Sequence, residues 1–286
     1  MTDHSIDRDK FDDHRGQNKR IEESLMNTNI YDVEKSPFDL YKHAIYVVRS
    51  GSRAHGTHTQ NSDYDVRGVF VAPTQRLLGL RPVDNLRDTL GNVVHQSLGL
   101  YVARLAASDV EALEALHAPD DCVLRVETPM ERFLQNRHEF LTADIARTFE
   151  NTAFSIIRRI RAQRDTEEEK PKFQKDGDYD TKGAAHAIRI LRMGAEALET
   201  GHLIVRRFDS AELRVIRDGT FPFEDFVRFA SEHKGAKVVG GVVHPEINRL
   251  RAAAATTQLP SKISADRVDQ MLTETYLEII ESRRER

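Results

Sequence analysis

Two short apolar runs, separated by a segment full of turn-forming residues, constrain this chain more than any other feature. The first run, Ala44–Val48, is rich in Ile, Val and Tyr and is soon followed by Gly51; the second, Val66–Val71, is stopped by Pro73. The sequence between them, SGSRAHGTHTQNSD, predicts a turn or a short helix. A strand, a tight connection and a second strand therefore open the folded part of the chain.

The rest of the sequence predicts more strands first and helices afterwards. Strands are expected at Asn92–His95 and Val123–Val126, and helices at Leu98–Ala107 and Val110–His117. From Thr128 onward the periodicity is helical, with helices expected at Ala143–Arg164, Lys182–Thr200, Ser210–Arg217, Phe223–Glu232, Pro245–Ala254 and Ala265–Arg284. We place a flexible polar tail at residues 1–38, the sheet-containing core at 39–127 and a helical domain at 128–286. The predicted fold is α+β, a small mixed β-sheet with flanking helices followed by an α-helical domain.

The composition excludes several classes of protein. The chain of 286 residues has a formal net charge of −4, so it carries no overall basic field for nonspecific nucleic-acid binding. The single cysteine, Cys122, excludes a disulfide framework. No apolar run approaches the roughly 20 residues that span a bilayer. We therefore expect a cytoplasmic protein with no membrane partner, and the sequence does not indicate its oligomeric state.

Asp63 and Asp65 are the first candidates for chemistry. Because side chains alternate along an extended chain, the two carboxylates project to the same side and make a hard-oxygen site suited to Mg²⁺. Gly51, after the first strand, lets the backbone approach a phosphate, and the Ser52 hydroxyl adds a donor. The alternative interpretation is structural, since Gly-Ser is a common turn and Ser-Asp-x-Asp can be a turn and a helix cap.

The sequence GSRAHGTHTQNSDYDVRGVFV resembles the signature of nucleotidyltransferases of the DNA polymerase β superfamily. That signature is Gly-Ser, a small helical turn with a glycine, and Ser-Asp-x-Asp opening a strand. The later segments LYVARLAASDVEALEALHAP and TKGAAHAIRILRMGAEALETGHLIVRR are similar to one branch, the RlaP-type family of predicted RNA-repair nucleotidyltransferases. The resemblance implies nucleotidyl transfer from a nucleoside triphosphate with Mg²⁺ (or Mn²⁺). It makes Asp63 and Asp65 the catalytic, metal-holding residues, and Gly51 and Ser52 phosphate-binding residues. Arg53 flanks the motif, and we add it to the predicted nucleotide-binding residues.

One position departs from the superfamily's pattern. The superfamily generally places a third carboxylate on a neighbouring strand, where it helps to deprotonate the acceptor. The matching strand here is Gly91–Val94, which puts Asn92 at that position; Asp88 takes it if the register shifts by a few residues. Asparagine cannot act as a base. The sequence leaves open which of the two fills the position, and hence whether the protein catalyses the reaction.

A second set of candidates lies on the expected helix Lys182–Thr200. Lys182, His186 and Arg189 fall on one stripe of that helix. The opposite stripe is apolar, which is typical of a side that packs against the core. A line of Lys, His and Arg can bind a triphosphate or an RNA phosphate facing the metal site. The alternative is an ordinary solvated face. We count the three residues among the predicted nucleotide-binding set.

These features predict a Mg²⁺-dependent enzyme that moves a nucleoside monophosphate from a nucleoside triphosphate to a hydroxyl acceptor. The base is not identified, and an RNA end, a protein side chain and a small molecule are all open as acceptors. Asn92 supports a second hypothesis, a non-catalytic nucleotide- or RNA-binding protein that retains the fold. A third is an antitoxin-type nucleotidyltransferase that modifies a partner protein.

Overall fold

The structure is a computed structural model that describes residues 30–284, apart from 32, 61, 166–178, 221, 224–225 and 227–242. Most of the polar tail predicted for residues 1–38 therefore lies outside the described residues. The same holds for most of the helix expected at Phe223–Glu232. The rest of the predicted elements can be compared with the structure.

Five strands form a single mixed sheet in the order β3-β4-β2-β1-β5. The strands are β1 (Ala44–Arg49), β2 (Val66–Phe70), β3 (Asn85–Arg87), β4 (Val93–Ser97) and β5 (Val123–Val126). Four of them confirm the sequence predictions to within two residues at each end. The edge strand β3 was missed because it has only three residues, with Leu86 alone buried among them, too few to show an alternating pattern.

Strand pairing places two chain positions opposite each other at one end of the sheet. Strand β1 is antiparallel to both β2 and β5, β3 is antiparallel to β4, and β2 and β4 are parallel. In the parallel pair Val66 lies opposite Val93, and the Val66 N–H donates to the carbonyl of Asn92. The residue before β2, Asp65, is therefore level with the residue before β4, Asn92.

Helices surround the sheet and make up the second half of the chain. Near the sheet lie α1 (Leu40–His43), α2 (Gly51–His55), α3 (Thr74–Leu77), α4 (Leu98–Ala106), α5 (Val110–Leu116) and α6 (Thr128–Gln135). The remaining helices are α7 (Ile145–Asp165), α8 (Thr181–Thr200), α9 (Ser210–Arg217), α10 (Val243–Thr256) and α11 (Ala265–Arg284). Together with the sheet they confirm the expected α+β architecture. Among the described residues, none of the helices is both long and apolar enough to cross a membrane.

Helix α8 is the centre of the helical part, and the sequence sets both of its ends. The Asp180 side chain caps its first turn by accepting from the Gly183 N–H at 2.8 Å. Gly201 ends the helix with a φ of 73°, the left-handed conformation that favours glycine. The predicted apolar stripe is confirmed, because its members are all buried: Ala184, Ile188, Leu191, Ala195 and Leu198.

Two hydrophobic clusters sandwich the sheet. One covers the face that carries Val47, Phe70 and Leu124. The other begins at the opposite face, with Tyr46 and Val69, and continues without a break into α7 and α8. Side chains from both sides of residue 127 thus share one core, and the domain boundaries proposed from the sequence stay a prediction. This shared core fixes the position of α8 relative to the end of β1 and the start of β2.

Candidate active site

The connection between β1 and β2 brings Gly51 directly against Asp65. The Ser50 N–H donates to the Asp65 carbonyl at 2.8 Å, which closes the end of the β1–β2 ladder. Gly51 follows with a φ of 62°. A Cβ at this position would lie 2.0 Å from Asp65 Oδ2. Glycine is therefore required here both by the backbone conformation and by the neighbouring carboxylate.

The Asp63 and Asp65 carboxylates lie two positions apart in the segment that leads into β2. Both residues lie in the extended segment just before β2, so they are not part of the strand itself. Asp63 is exposed and Asp65 half-buried, and neither carboxylate forms a hydrogen bond or ion pair with a described residue. Arg67, the next residue on that face, instead donates to the carbonyls of Val66 and Asn92 at 3.0 and 3.1 Å.

Both aspartates line a cavity of about 410 Å³, here called the central cavity. Its sheet side is formed by Ser50, Gly51, Ser52, His55, Thr57, Ser62, Asp63, Asp65 and Arg67. Its helical side is formed by Val110, Glu111, Glu114, Thr152, Ile156, Arg159, Lys182, Ala185, His186, Arg189, Ile190, Leu213 and Arg217. The volume is within the range of pockets that hold small organic ligands.

The structure thus brings together most of the residues singled out from the sequence. Gly51 and Ser52 lie on one wall of the central cavity, and Lys182, His186 and Arg189 on another. Their roles in binding stay predictions, but the stripe on α8 faces the cavity of Asp63 and Asp65. Arg189 is only 4% exposed, so the alternative of a fully solvated face does not describe it.

Arg53 is the exception among the predicted nucleotide-binding residues, since it does not line the central cavity. Its guanidinium lies 4.0 Å from the centre of the Tyr64 ring and donates to the Ser62 carbonyl at 3.3 Å. Tyr64 projects to the other side of the segment from Asp63 and Asp65. The ring attracts the cation, and Arg53 fastens the aspartate-bearing segment to α2 rather than facing a ligand. A direct contact of Arg53 with nucleotide is not supported by this geometry.

A buried charged group that the sequence did not reveal forms the floor of the central cavity. The Glu114 carboxylate accepts from Arg189 through Oε1 and is bonded to His55 Nε2 through Oε2 at 3.2 Å. Burial alone would raise the pKa of Glu114, but Arg189 and His55 outweigh it and hold that pKa well below its ordinary value of 4.5. The available signal was a glutamate within the otherwise apolar run Ala112–Leu116 of α5.

Two histidines line the cavity, and the pKa of each is lowered. Desolvation lowers the pKa of His55, and the charge of Arg189 adds to this effect although Glu114 opposes it. His186 is exposed where it lines the cavity. Partial desolvation, together with Arg189, lowers the pKa of His186 as well. Neutral imidazoles can donate and accept hydrogen bonds at neutral pH.

Four cations line the side of the cavity formed by helices. Arg189 is buried against Glu114, whereas Arg159 and Lys182 are exposed on α7 and α8. Arg217, near the end of α9, is half-buried and donates to the Thr57 carbonyl at 3.5 Å. Arg159 and Arg217 were missed by the sequence analysis, because only the packing of α7 and α9 on α8 brings them to this site.

The position expected for a third carboxylate holds none. Asn92 lies level with Asp65 but does not line the central cavity. Asp88 is in the β3–β4 turn, where its carboxylate accepts from the Val93 N–H at 3.0 Å. Its side chain stabilises the turn and is also absent from the cavity wall. Neither residue adds a carboxylate to the pair formed by Asp63 and Asp65.

The donor set at Asp63 and Asp65 fits a magnesium ion shared with a ligand. Within the described parts of the chain, no cluster of three or more His, Cys, Asp or Glu side chains could hold a metal. A closed protein site is therefore not formed there. Mg²⁺ is commonly bound by one or two carboxylates that share it with substrate phosphates, and two unpaired carboxylates on a cavity wall match that arrangement.

Comparison with known proteins identifies the class. The sequence matches the RlaP family, described as the RNA repair pathway DNA polymerase beta family, over residues 19–218. This match spans most of the 286-residue chain. The chain belongs to that family and is a nucleotidyltransferase-like protein, which confirms the resemblance drawn from the Gly-Ser and Asp-x-Asp motif.

Two individual proteins are also similar to parts of the chain. An uncharacterized 38.9 kDa protein encoded in the nrdC-mobD intergenic region of Enterobacteria phage T4 is 32% identical over 114 residues, 35% of this chain. That match covers 34% of the phage protein's length. A nucleotidyltransferase-like protein from Exiguobacterium sibiricum 255-15 is 11% identical, with 86% of this chain and 76% of that one covered. Its TM-score of 0.25 is too low to carry an argument.

Proposed function

We propose that this protein is a Mg²⁺-dependent nucleotidyltransferase that moves a nucleoside monophosphate from a nucleoside triphosphate to a hydroxyl group. The observation that carries the proposal is the shared cavity. The unpaired carboxylates of Asp63 and Asp65 open into the same space as Ser52 and the cations of the helical side. Mn²⁺ has the same preference for oxygen ligands and can replace Mg²⁺.

The triphosphate is expected to lie along the wall that carries Gly51 and Ser52. The missing side chain at Gly51 leaves the backbone accessible, and the Ser52 hydroxyl can donate to a phosphate oxygen. Lys182 and Arg159 approach the same space from the helices. Their charges balance a triphosphate that remains anionic when it is bound to a divalent ion.

The apolar part of the central cavity suits the base of the nucleotide. Val110, Ile156, Ile190 and Leu213 come from four different helices and line the cavity on its helical side. Their side chains make this part of the wall apolar, and the His186 ring can hydrogen-bond to a nucleobase. The base identity is not determined by these contacts, so all four ribonucleotides belong in the test.

The reaction assigned to this site is a single displacement at phosphorus. The oxygen of the acceptor hydroxyl attacks the α-phosphorus, the bond from that phosphorus to the bridging oxygen breaks, and pyrophosphate leaves. The hydroxyl proton passes to a base. A bound Mg²⁺ supplies neutralisation of the phosphate charge. Asp63 and Asp65 would hold it, while Ser52 and the helical cations orient the phosphates.

We take an RNA end as the first acceptor to test, because the family is described as belonging to an RNA repair pathway. Protein side chains and small molecules are the other acceptors. We propose a cytoplasmic location, which supplies nucleoside triphosphates, and a single cysteine fits a reducing compartment.

Transfer of label from α-labelled nucleoside triphosphates tests the proposal. Each of the four is incubated with Mg²⁺, the protein and either total RNA, lysate protein or a metabolite extract. We expect one acceptor class to become labelled and pyrophosphate to be released in equal amount. The double variant Asp63→Asn/Asp65→Asn serves as the matched negative control. The proposal fails if label is transferred in none of the mixtures, or equally by this variant.

A non-catalytic nucleotide- or RNA-binding protein is the second candidate. The observation that favours it is Asn92, which stands level with Asp65 where the superfamily has a carboxylate. Mg²⁺-dependent nucleotide binding without any label transfer or pyrophosphate release would support this candidate over the first.

A further inference from the structure

The central cavity lacks a proton acceptor on the strand where one is expected. Asn92 and Val94 occupy the face of β4 that continues from Asp65 and Arg67 on β2, and neither can accept a proton. Asp88 is engaged with the Val93 N–H. A reaction that removes a proton from a hydroxyl therefore needs a base from elsewhere in the fold.

Glu111, in the first turn of α5, brings a carboxylate over this face of β4. It lines the central cavity together with Asp63 and Asp65. It also borders a small neighbouring space with Arg67 and Val94. Its side chain is 58% exposed, so a substrate hydroxyl can reach it. A helix thus supplies the central cavity with a carboxylate, which β4 does not.

Arg104 holds Glu111 in this position and ties it to the sheet. Its Nη1 donates to Gln96 Oε1 on β4 at 2.8 Å. Its Nη2 donates to Asp109 Oδ1, at the start of α5, at 2.8 Å and to Glu111 Oε2 at 3.1 Å. Glu111 Oε1 accepts no hydrogen bond from a described residue. One oxygen is therefore anchored and the other is available to a substrate.

The other titratable groups of the cavity are less suited to accept a proton. Both oxygens of Glu114 are occupied, one by Arg189 and the other by His55. Desolvation lowers the pKa of His55 and of His186, which makes each ring a weaker base. These contacts leave Glu111 as the accessible carboxylate besides the two that face the metal position.

We propose that Glu111 is the general base of this protein and replaces the third carboxylate that is missing at Asn92. This inference rests on the proposed function. Glu111 Oε1 takes the proton of the acceptor hydroxyl as the oxygen attacks the α-phosphorus, and pyrophosphate leaves with the electrons of the broken P–O bond. Asp63 and Asp65 then serve the metal alone.

The test compares two variants with the wild type in the label-transfer assay, with α-labelled nucleoside triphosphate and RNA as probes. Glu111→Gln is expected to slow transfer by about 100-fold or more, the usual contribution of a general base. Its affinity for Mg²⁺ and nucleotide, measured by calorimetry, should stay within about twofold of wild type, since a base acts on the chemical step. Glu127→Gln, which also removes an exposed carboxylate paired with an arginine, Arg125, should match the wild type.

The outcomes separate this inference from the proposed function. If Glu111→Gln transfers label at the wild-type rate, Glu111 is not the base, and the nucleotidyltransferase assignment stays intact. Loss of nucleotide binding in step with transfer would also overturn the role of Glu111 as the base, because Glu111 would then be a binding residue. Absence of transfer by the wild type would overturn the proposed function and this inference together.

Discussion

The Cα of Gly51 packs against the carboxylate of Asp65, so closely that a Cβ on Gly51 would lie 2.0 Å from Oδ2. Gly51 lies on the wall assigned to the triphosphate, and Asp65 is one of the two residues assigned to the metal. Asp65 has a short side chain with two rotatable bonds, so it cannot yield to a methyl group without turning its carboxylate away. Glycine at position 51 therefore determines where the Asp65 carboxylate points.

Gly51→Ala is expected to weaken Mg²⁺-dependent nucleotide binding by displacing this carboxylate. Gly91→Ala is the matched control, because Gly91 also has a positive φ, 75°, but its Cβ would meet nothing within 4 Å. Each variant should lose about 1–2 kcal/mol of unfolding free energy from the left-handed conformation. Calorimetry should find the affinity loss, about tenfold or more for a charged interaction, in Gly51→Ala alone. Equal affinities in the two variants would contradict the role assigned to the contact.

Asp63→Asn combined with Asp65→Asn should remove Mg²⁺-dependent nucleotide binding without destabilising the apo protein. Neither carboxylate is bonded to a described residue, so their neutralisation breaks no hydrogen bond or ion pair within the described part of the chain. Asp266→Asn with Asp269→Asn removes the same charge from an exposed face of α11 and controls for net charge. Binding is read by calorimetry with and without Mg²⁺, and stability by thermal melting. If Mg²⁺-dependent binding persists in the Asp63/Asp65 variant, these two residues do not hold the metal.

The motif from Gly51 to Asp65 could be predicted from the sequence because it is local. The glycine, the serine and both aspartates lie within fifteen consecutive positions. The patterns of apolar residues on either side of this segment predict the two strands. Helix α8 was predicted equally well, since its cap, its C-terminal glycine and its apolar stripe all lie within one segment.

The remaining parts of the cavity depend on contacts between distant segments. Glu114 meets Arg189 across 75 positions of the chain, and no spacing in the sequence indicates this pair. Arg53 was assigned to the nucleotide by its place next to Ser52, but the nearby Tyr64 ring attracts its guanidinium to the other side. Side-chain direction at such a position is decided by packing, which the order of residues does not show.

Ser52→Ala should weaken nucleotide binding about tenfold or more. A hydrogen bond to a charged group contributes roughly 1.5–3 kcal/mol, and Ser52 lines the cavity on the wall assigned to the triphosphate. Ser261→Ala is the control, since Ser261 is exposed, does not line the central cavity and forms no side-chain hydrogen bond with a described residue. Titration with the triphosphate in Mg²⁺ gives both affinities. If Ser52→Ala binds as tightly as wild type, Ser52 is an ordinary turn residue.

Glu114→Gln should destabilise the protein by about 3–5 kcal/mol at neutral pH, because it leaves Arg189 buried without a counter-charge. The folded state lowers the pKa of Glu114, so the carboxylate contributes its stability above its ordinary value of 4.5. That stability is lost as the pH falls toward the lower folded pKa. The unfolding free energy, measured with denaturant at several pH values, should therefore fall less from neutral to acid pH in the variant than in the wild type.

The control for this measurement is Glu127→Gln. Glu127 forms an ion pair with Arg125 at the surface, and its side chain is 47% exposed. Exposed pairs of this kind contribute less than about 1 kcal/mol. A Glu114→Gln variant no less stable than Glu127→Gln would mean that the buried group does not support the floor of the central cavity.

Arg159→Ala should weaken triphosphate binding more than Arg158→Ala, although both residues are exposed neighbours on α7. Only Arg159 lines the central cavity. An exposed charge in water contributes about 0.2–1 kcal/mol, so the expected loss of affinity for Arg159→Ala is about 1.4- to fivefold. The difference between the variants should shrink as salt is raised, because ions screen an exposed charge. Titrations at low and high ionic strength measure it, and equal losses in the two variants would show that α7 contributes only a diffuse positive field.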